Sequence, residues 1–324
     1  MSSPIQARLD PGLSASLQAM RPLLFAAADA ARDLPGHVRA GSAVRRWGQR
    51  LVVVQDDVNA LALLDEAHGE IHRLALPRGE DGRRTFDAAS GNKALKLDLE
   101  ACVTLPDGRL VALGSGSKRV REHVAVVTPD EGVRVVAAHG LYERLRERTD
   151  FAGSELNLEG AVVVGGALRL FQRGNGAPRG DLLPVDASGD LDLAAFVRWL
   201  DGGPLPALEQ VRQYDLGEVE GVRFGFTDAT ALPDDRVAFV AGAEASPDTY
   251  EDGEVLGCRF GILDGDEARM TDVLGEDREP SRLKLEGLDW VREDEGAWEL
   301  VVVTDMDDPG SAALMGGLRV TGGS

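Results

Sequence analysis

The chain has 324 residues, and its 55 acidic side chains outnumber 35 Lys and Arg, which leaves a formal net charge of −20. A nucleic-acid backbone is thereby excluded as the default partner, because phosphate binding draws on concentrated positive charge. With 43 % hydrophobic and 28 % charged residues, the chain can bury a large core and is too apolar for a disordered polymer.

The first 36 residues read as an extension that could supply a closing strand, and residues 37–324 as the main domain. The best apolar stretch near the start, 23–28, is too short for a membrane span and lacks the basic and apolar regions of a signal peptide. No other segment approaches the roughly 18 apolar residues a membrane helix needs. A cytoplasmic protein is expected, with neither membrane nor nucleic acid among its partners. The two cysteines, Cys102 and Cys258, lie in apolar contexts, and the five histidines show no metal-ligand spacing. Disulfide scaffolds and cysteine-rich zinc sites are excluded.

From residue 41 onward one pattern recurs: a short apolar strand carrying an acid, a turn, then a second apolar run ending in small or polar residues. Copies occupy residues 97–117, 156–175, 226–244 and 283–308, and residues 41–57 form a first copy without the acid. Their markers Gly41, Glu100, Glu159, Asp228 and Glu286 follow one another at 59, 59, 69 and 58 residues. Each copy continues into two more strand-like runs, such as 124–128 and 133–137, with Pro, Asp and Gly between them. Four antiparallel strands repeated at this period predict an all-β fold, a single β-propeller of five four-stranded blades, with six left open. A pair of β-sandwiches is the alternative. The long interval before Asp228 contains Leu193, Phe196, Val197 and Leu200, whose spacing predicts one short inserted helix.

The first strand of each propeller blade lines the central axis, so equivalent residues on those strands converge. Glu100, Glu159 and Glu286 are expected to face one another with Asp228 close by, although an ungapped alignment on the Leu-Pro-Asp turn places Thr227 opposite Glu100. Two residues earlier stand Asp98, Asn157 and Lys284. The candidate metal set is therefore Asp98, Glu100, Asn157, Glu159, Asp228 and Glu286. Carboxylates crowded into a narrow channel repel one another, and calcium or another divalent cation, accepting 6–8 oxygens, would neutralise them. The alternative is that these acids hydrogen-bond neighbouring backbone, or pair with Lys96, Lys284 or Arg173.

A second set closes the second strands: Asp56 and Asp57, residues 115–118 and 172–175, Glu244, and residues 305–308. The Gly114-Ser-Gly-Ser turn with Lys118, Arg119 and Arg121 resembles an anion-binding nest. Lys96, Lys118, Arg119, Arg173 and Lys284 are the candidates for holding a small anionic ligand. No Gly-x-Ser-x-Gly elbow is present, and 5 % aromatic content argues against a sugar cleft. The acidic loop 245–253 reads as a solvated rim.

At Asp98-Leu-Glu-Ala, Asn157-Leu-Glu-Gly and Lys284-Leu-Glu-Gly the sequence resembles the bacterial phytase-like, esterase-like and SdiA-regulated propellers. Leu-Asp-Leu-Glu-Ala, Asn-Leu-Glu-Gly-Ala and Phe-Gln-Arg-Gly-Asn look closer to an uncharacterised bacterial propeller family spanning roughly residues 40–320. The Leu-Glu-Gly strands are also similar to those of calcium-activated nucleotidases, a resemblance that implies Glu100, Glu159 and Glu286 as calcium ligands. The function expected is a propeller whose channel acids bind a divalent cation, acting as a metal-dependent phosphoester hydrolase. The alternative is a non-catalytic ligand- or protein-binding propeller.

Overall fold

The second strand of the first repeat is apolar on both faces, as a strand packed between layers must be. Leu51, Val52, Val53 and Val54 are all buried. In the computed structural model, which describes residues 3–245 and 253–323, these runs form sheets of antiparallel strands. Most of the 245–253 loop lies outside the described residues.

Three strands, β1 (Ile5–Gln6), β2 (Arg8–Leu9) and β3 (Ser14–Pro22), precede the first sheet. That sheet is β4 (Gly41–Trp47), β5 (Arg50–Gln55), β6 (Ala60–Asp65) and β7 (Glu70–Ala75). The second is β8 (Leu99–Thr104), β9 (Leu110–Gly114), β10 (His123–Val127) and β11 (Val133–Ala137), followed by the helices α1 (His139–Glu147) and α2 (Thr149–Ala152). The third is β12 (Leu158–Val164), β13 (Ala167–Gln172), β14 (Asp186–Asp192) and β15 (Leu208–Asp215), with α3 (Leu193–Leu200) between the last two. A hairpin of β16 (Glu218–Val219) and β17 (Val222–Arg223) leads to β18 (Gly225–Ala231), β19 (Val237–Ala245), β20 (Glu254–Asp264) and β21 (Glu267–Leu274). The chain ends with β22 (Lys284–Asp294), β23 (Ala297–Asp305) and β24 (Leu314–Thr321).

The first strands β4, β8, β12, β18 and β22 touch in that order, and β22 touches β4. The chain is a β-propeller, which suppresses free sheet edges by closing radially. The last sheet takes its outer strand from the beginning of the chain: β3 runs antiparallel to β24 from Ser14↔Thr321 to Pro22↔Leu314. On the outside, β1 pairs parallel with β15 and β2 with β21. The inserted helix lies where its spacing predicts, capped by Asp192 accepting from the Ala195 N–H at 2.7 Å, with Phe196 and Leu200 buried. No helix among the described residues is long and apolar enough to cross a membrane.

A single irregularity repeats on all five inner strands. The register slips between Gly41 and Ala43, Leu99 and Ala101, Leu158 and Gly160, Phe226 and Asp228, and Leu285 and Gly287. The extra, unpaired residues are Ser42, Glu100, Glu159, Thr227 and Glu286. A bulge bends its strand and re-aims the side chain it carries. The glycine that follows in two copies has a packing reason. A Cβ on Gly287 would stand 2.5 Å from Val303 and 2.7 Å from the Val44 backbone N, so only glycine lets the adjacent inner strand come that close.

Candidate functional site

The bulges decide what each inner strand presents at the channel mouth. Where the bulged residue is a hydroxyl, it ties neighbouring strands: Ser42 Oγ donates to Leu99 O and Thr227 Oγ1 to Leu285 O, both at 2.6 Å. Where it is glutamate, the side chain joins a buried charge cluster. The register also defines a second ring, since the residues after β5, β9, β13 and at the end of β23 are equivalent: Asp56, Ser115, Arg173 and Asp305. Members of both predicted sets, among them Glu100, Glu159, Glu286, Asp56, Arg173 and Asp305, thus meet at one end of the channel.

One side of the mouth is built on Asp98. Its φ of 55° is left-handed, a conformation aspartate tolerates better than most residues, and its carboxylate is almost completely buried. Lys96 Nζ meets Oδ1 at 2.6 Å, Arg121 Nη1 meets Oδ2 at 2.7 Å, and the Ser115 hydroxyl also donates to Oδ2. Burial works against ionisation here, but Lys96 and Arg121 outweigh it and hold the carboxyl below its usual range. Lys96 also bonds Asp56, whose Oδ1 is buried without a hydrogen-bond partner. Burial first, and then the Asp305 and Asp98 charges, raise the Asp56 carboxyl despite Lys96. Glu100 is pushed well above the carboxylate range by burial and by Asp98, Asp56 and Glu159. Asp56, Asp98 and Glu100 each offer one oxygen, and the three atoms lie within 4.8 Å of one another. Beside them, Asp57 faces Arg39 at 2.8 Å, and burial and Asp56 push it up to about 7.

Across the channel, Glu159 accepts from Asn157 Nδ2 at 2.7 Å and meets Arg173 at 3.5 Å. Burial, against Arg173 and Lys284, puts it at about 7. Arg173 reaches Glu244 at 3.0 Å and Glu286 only at 3.8 Å. Lys284 pairs with Asp307 at 2.6 Å and Asp305 at 3.4 Å. Glu286 is left over: its side chain is 5 % exposed, yet neither carboxylate oxygen has a hydrogen-bond partner. Burial and Glu159 raise it well above the usual range, with Lys284 and Arg173 opposing. On this side five carboxylates share two cations. A cavity of about 190 Å³ opens beside the Lys96 cluster, walled by Asp56, Asp57, Asp87, Lys96, Asp305 and Asp307 among others.

The placement of Asp228 differs from the expectation. Asp228 does not join the glutamates: Thr227 takes the bulge position, as the ungapped alignment has it, and Asp228 points into the channel wall. There Arg45 grips it bidentately at 2.7 and 2.8 Å, and the N–H groups of Ala229 and Leu288 each donate at 2.8 Å. Arg45 also donates to the carbonyls of Val44, Leu288 and Ala229 at 2.6 Å. Lys118 and Arg119 are exposed on their turn, whereas Arg121 is buried and pairs with Asp98. On that turn the Ser115 N–H donates to the Asp98 carbonyl and its hydroxyl to the Asp98 carboxylate. Lys96, Arg173 and Lys284 do face the mouth, each engaged by carboxylates. The cation pairing weighed against a metal is thus present for Asp56, Asp98, Asp305 and Asp307, and weak for Glu286.

Sequence reasoning listed Asp56 and Asp305 among the second-strand ends without joining them to the metal set. The bulge-by-bulge alignment would have placed them there. No signal pointed to Arg45, which belongs to the one copy that lacks an acid.

A family model described as a family of unknown function, DUF6929, matches residues 37–318. No curated protein matches the chain. Among solved structures it is similar to the α-L-arabinanase of Penicillium chrysogenum complexed with arabinobiose, at 9 % identity over 93 % of this chain and 98 % of that one, TM-score 0.47. It is also similar to regucalcin, a calcium-binding protein from Agrobacterium tumefaciens, at 11 % identity over 94 % and 95 %, TM-score 0.42.

Proposed function

Since this chain belongs to the DUF6929 family, whose function is unknown, the site itself must carry the reading, and we propose that the protein binds a divalent cation at its channel mouth. The observation that carries this is the surplus of buried carboxylate. Glu286 has no hydrogen-bond partner for either oxygen, and Asp56 has none for Oδ1. A buried, unpaired acceptor is costly unless a proton or cation meets it.

The donors fit a hard cation. Asp56, Asp98 and Glu100 offer only oxygen, with no imidazole or thiolate in the triplet, which favours calcium over zinc or copper. Glu159, Asn157 and Glu286 add oxygens on the facing strands. The likeness of the Leu-Glu-Gly strands to those of phytase-like propellers and calcium-activated nucleotidases supports the same reading. A bound cation would supply positive charge able to polarise an anionic ligand.

Phosphoester hydrolysis, the sharper expectation, asks for a basic group free to meet the anion. Arg173 and Lys284 are engaged by carboxylates, so the geometry favours a cation-binding propeller over a hydrolase. Melting the protein in chelator and in millimolar calcium tests the reading. At about a hundred times Kd, calcium adds about 2.7 kcal/mol, or roughly 5 °C. Glu100→Gln should keep the fold and lose the shift. No calcium-dependent change in the wild type would remove the proposal.

A further inference from the structure

Lys96 engages two of the three carboxylates that would hold the cation. Its ammonium bonds Asp56 and meets Asp98 Oδ1 at 2.6 Å, and the Glu100 charge acts on it as well. These are the three carboxylates whose oxygens converge within 4.8 Å. An ion drawing one oxygen from each at about 2.3–2.6 Å would compete with the ammonium for Asp56 and Asp98, and two positive charges held by the same carboxylates repel each other.

The structure supplies a place for the ammonium to go. Lys96 itself lines the adjoining cavity of about 190 Å³, whose wall carries the acids Asp57, Asp87, Asp305 and Asp307 along with the cations Arg39 and Lys93. On that wall Asp57 Oδ1 is buried and accepts no hydrogen bond. A four-carbon arm carrying a point charge can rotate between such positions, which a rigid guanidinium does less readily.

We propose that Lys96 is a tethered counter-ion that guards the site: it holds Asp56 and Asp98 together in the absence of metal, and a divalent cation binds by expelling its ammonium into the neighbouring cavity. This rests on the cation reading above and adds a residue that sets its threshold. An ion too weakly attracted to displace the lysine is refused, so Lys96 discriminates against monovalent ions.

Calorimetric titration of the full chain with calcium chloride, in the wild type and in Lys96→Met, tests the guard. Methionine keeps the length and removes the charge. The variant is expected to bind calcium at least tenfold more tightly and to melt lower than the wild type in chelator. Equal or weaker calcium affinity in the variant overturns the guard and leaves the cation site standing. Absence of binding in both proteins overturns the site and the guard with it. Should Lys96→Met not fold, the wild type provides the second measurement: acetylation of Lys96 by acetic anhydride, followed by peptide mass spectrometry. Expulsion predicts labelling that rises several-fold in saturating calcium, and unchanged or reduced labelling overturns it.

Discussion

Arg45 shows how one side chain ties the inner strands together. Its guanidinium donates to carbonyls from four inner strands, those of Val44, Ala161, Ala229 and Leu288, and to the Asp228 carboxylate. A buried pair of this kind is sensitive to losing one partner and tolerant of losing both. Arg45→Met should therefore cost about 3–5 kcal/mol in urea unfolding, whereas Arg45→Met with Asp228→Leu should recover most of it. Additive losses in the double variant would show that the pair has no private coupling. Asp228 was easily mistaken for a channel acid, because an aspartate in a repeat at the right period carries no mark of its partner. The partner sits 183 residues away in a copy without an acid. Glu100, Glu159 and Glu286 were legible because the motif Leu-Glu-Gly or Leu-Glu-Ala encodes the bulge and the small residue after it.

At the level of elements, the closing strand deserves a quantitative test because the last sheet depends on it. Leu17 on β3 is buried with Leu318 and Val320 of β24, while Ile5 on β1 is only half-buried in a two-residue pairing on the outer rim. Leu17→Ala should cost about 2–4 kcal/mol and Ile5→Ala less than about 1 kcal/mol, measured by denaturant midpoints at constant slope. Comparable losses at both sites would mean that the whole leading segment, and not β3 alone, holds the ring shut. The strands were readable from short apolar runs separated by turn residues, and α3 from its apolar spacing. The helix α1 was not. Its buried residues Leu141, Tyr142 and Leu145 are spread among Glu and Arg, and the segment follows directly on β11 where another strand was the natural continuation.

For the molecule as a whole, the acids at the mouth set how stability responds to pH and to metal. Asp57, Glu159 and Asp307 lie at about 7, and Asp56, Glu100 and Glu286 are also raised, whereas unfolded carboxyls titrate near 4. Between about pH 4 and 7 the folded chain therefore holds more protons than the unfolded one, and stability falls as pH rises. Asp98 and Asp305, which are lowered, act only below that window. The net charge of −20 pushes in the same direction, so the slope in chelator does not by itself isolate the mouth. Calcium separates the two, because it binds the deprotonated carboxylates and must displace their protons. Its gain in melting temperature should be larger at pH 8 than at pH 5. Binding at pH 6 should release about one proton or more per ion, read by titration in buffers of different ionisation enthalpy. A gain equal at both pH values, with no proton release, would place the cation on the diffuse acidic surface instead of among the buried glutamates.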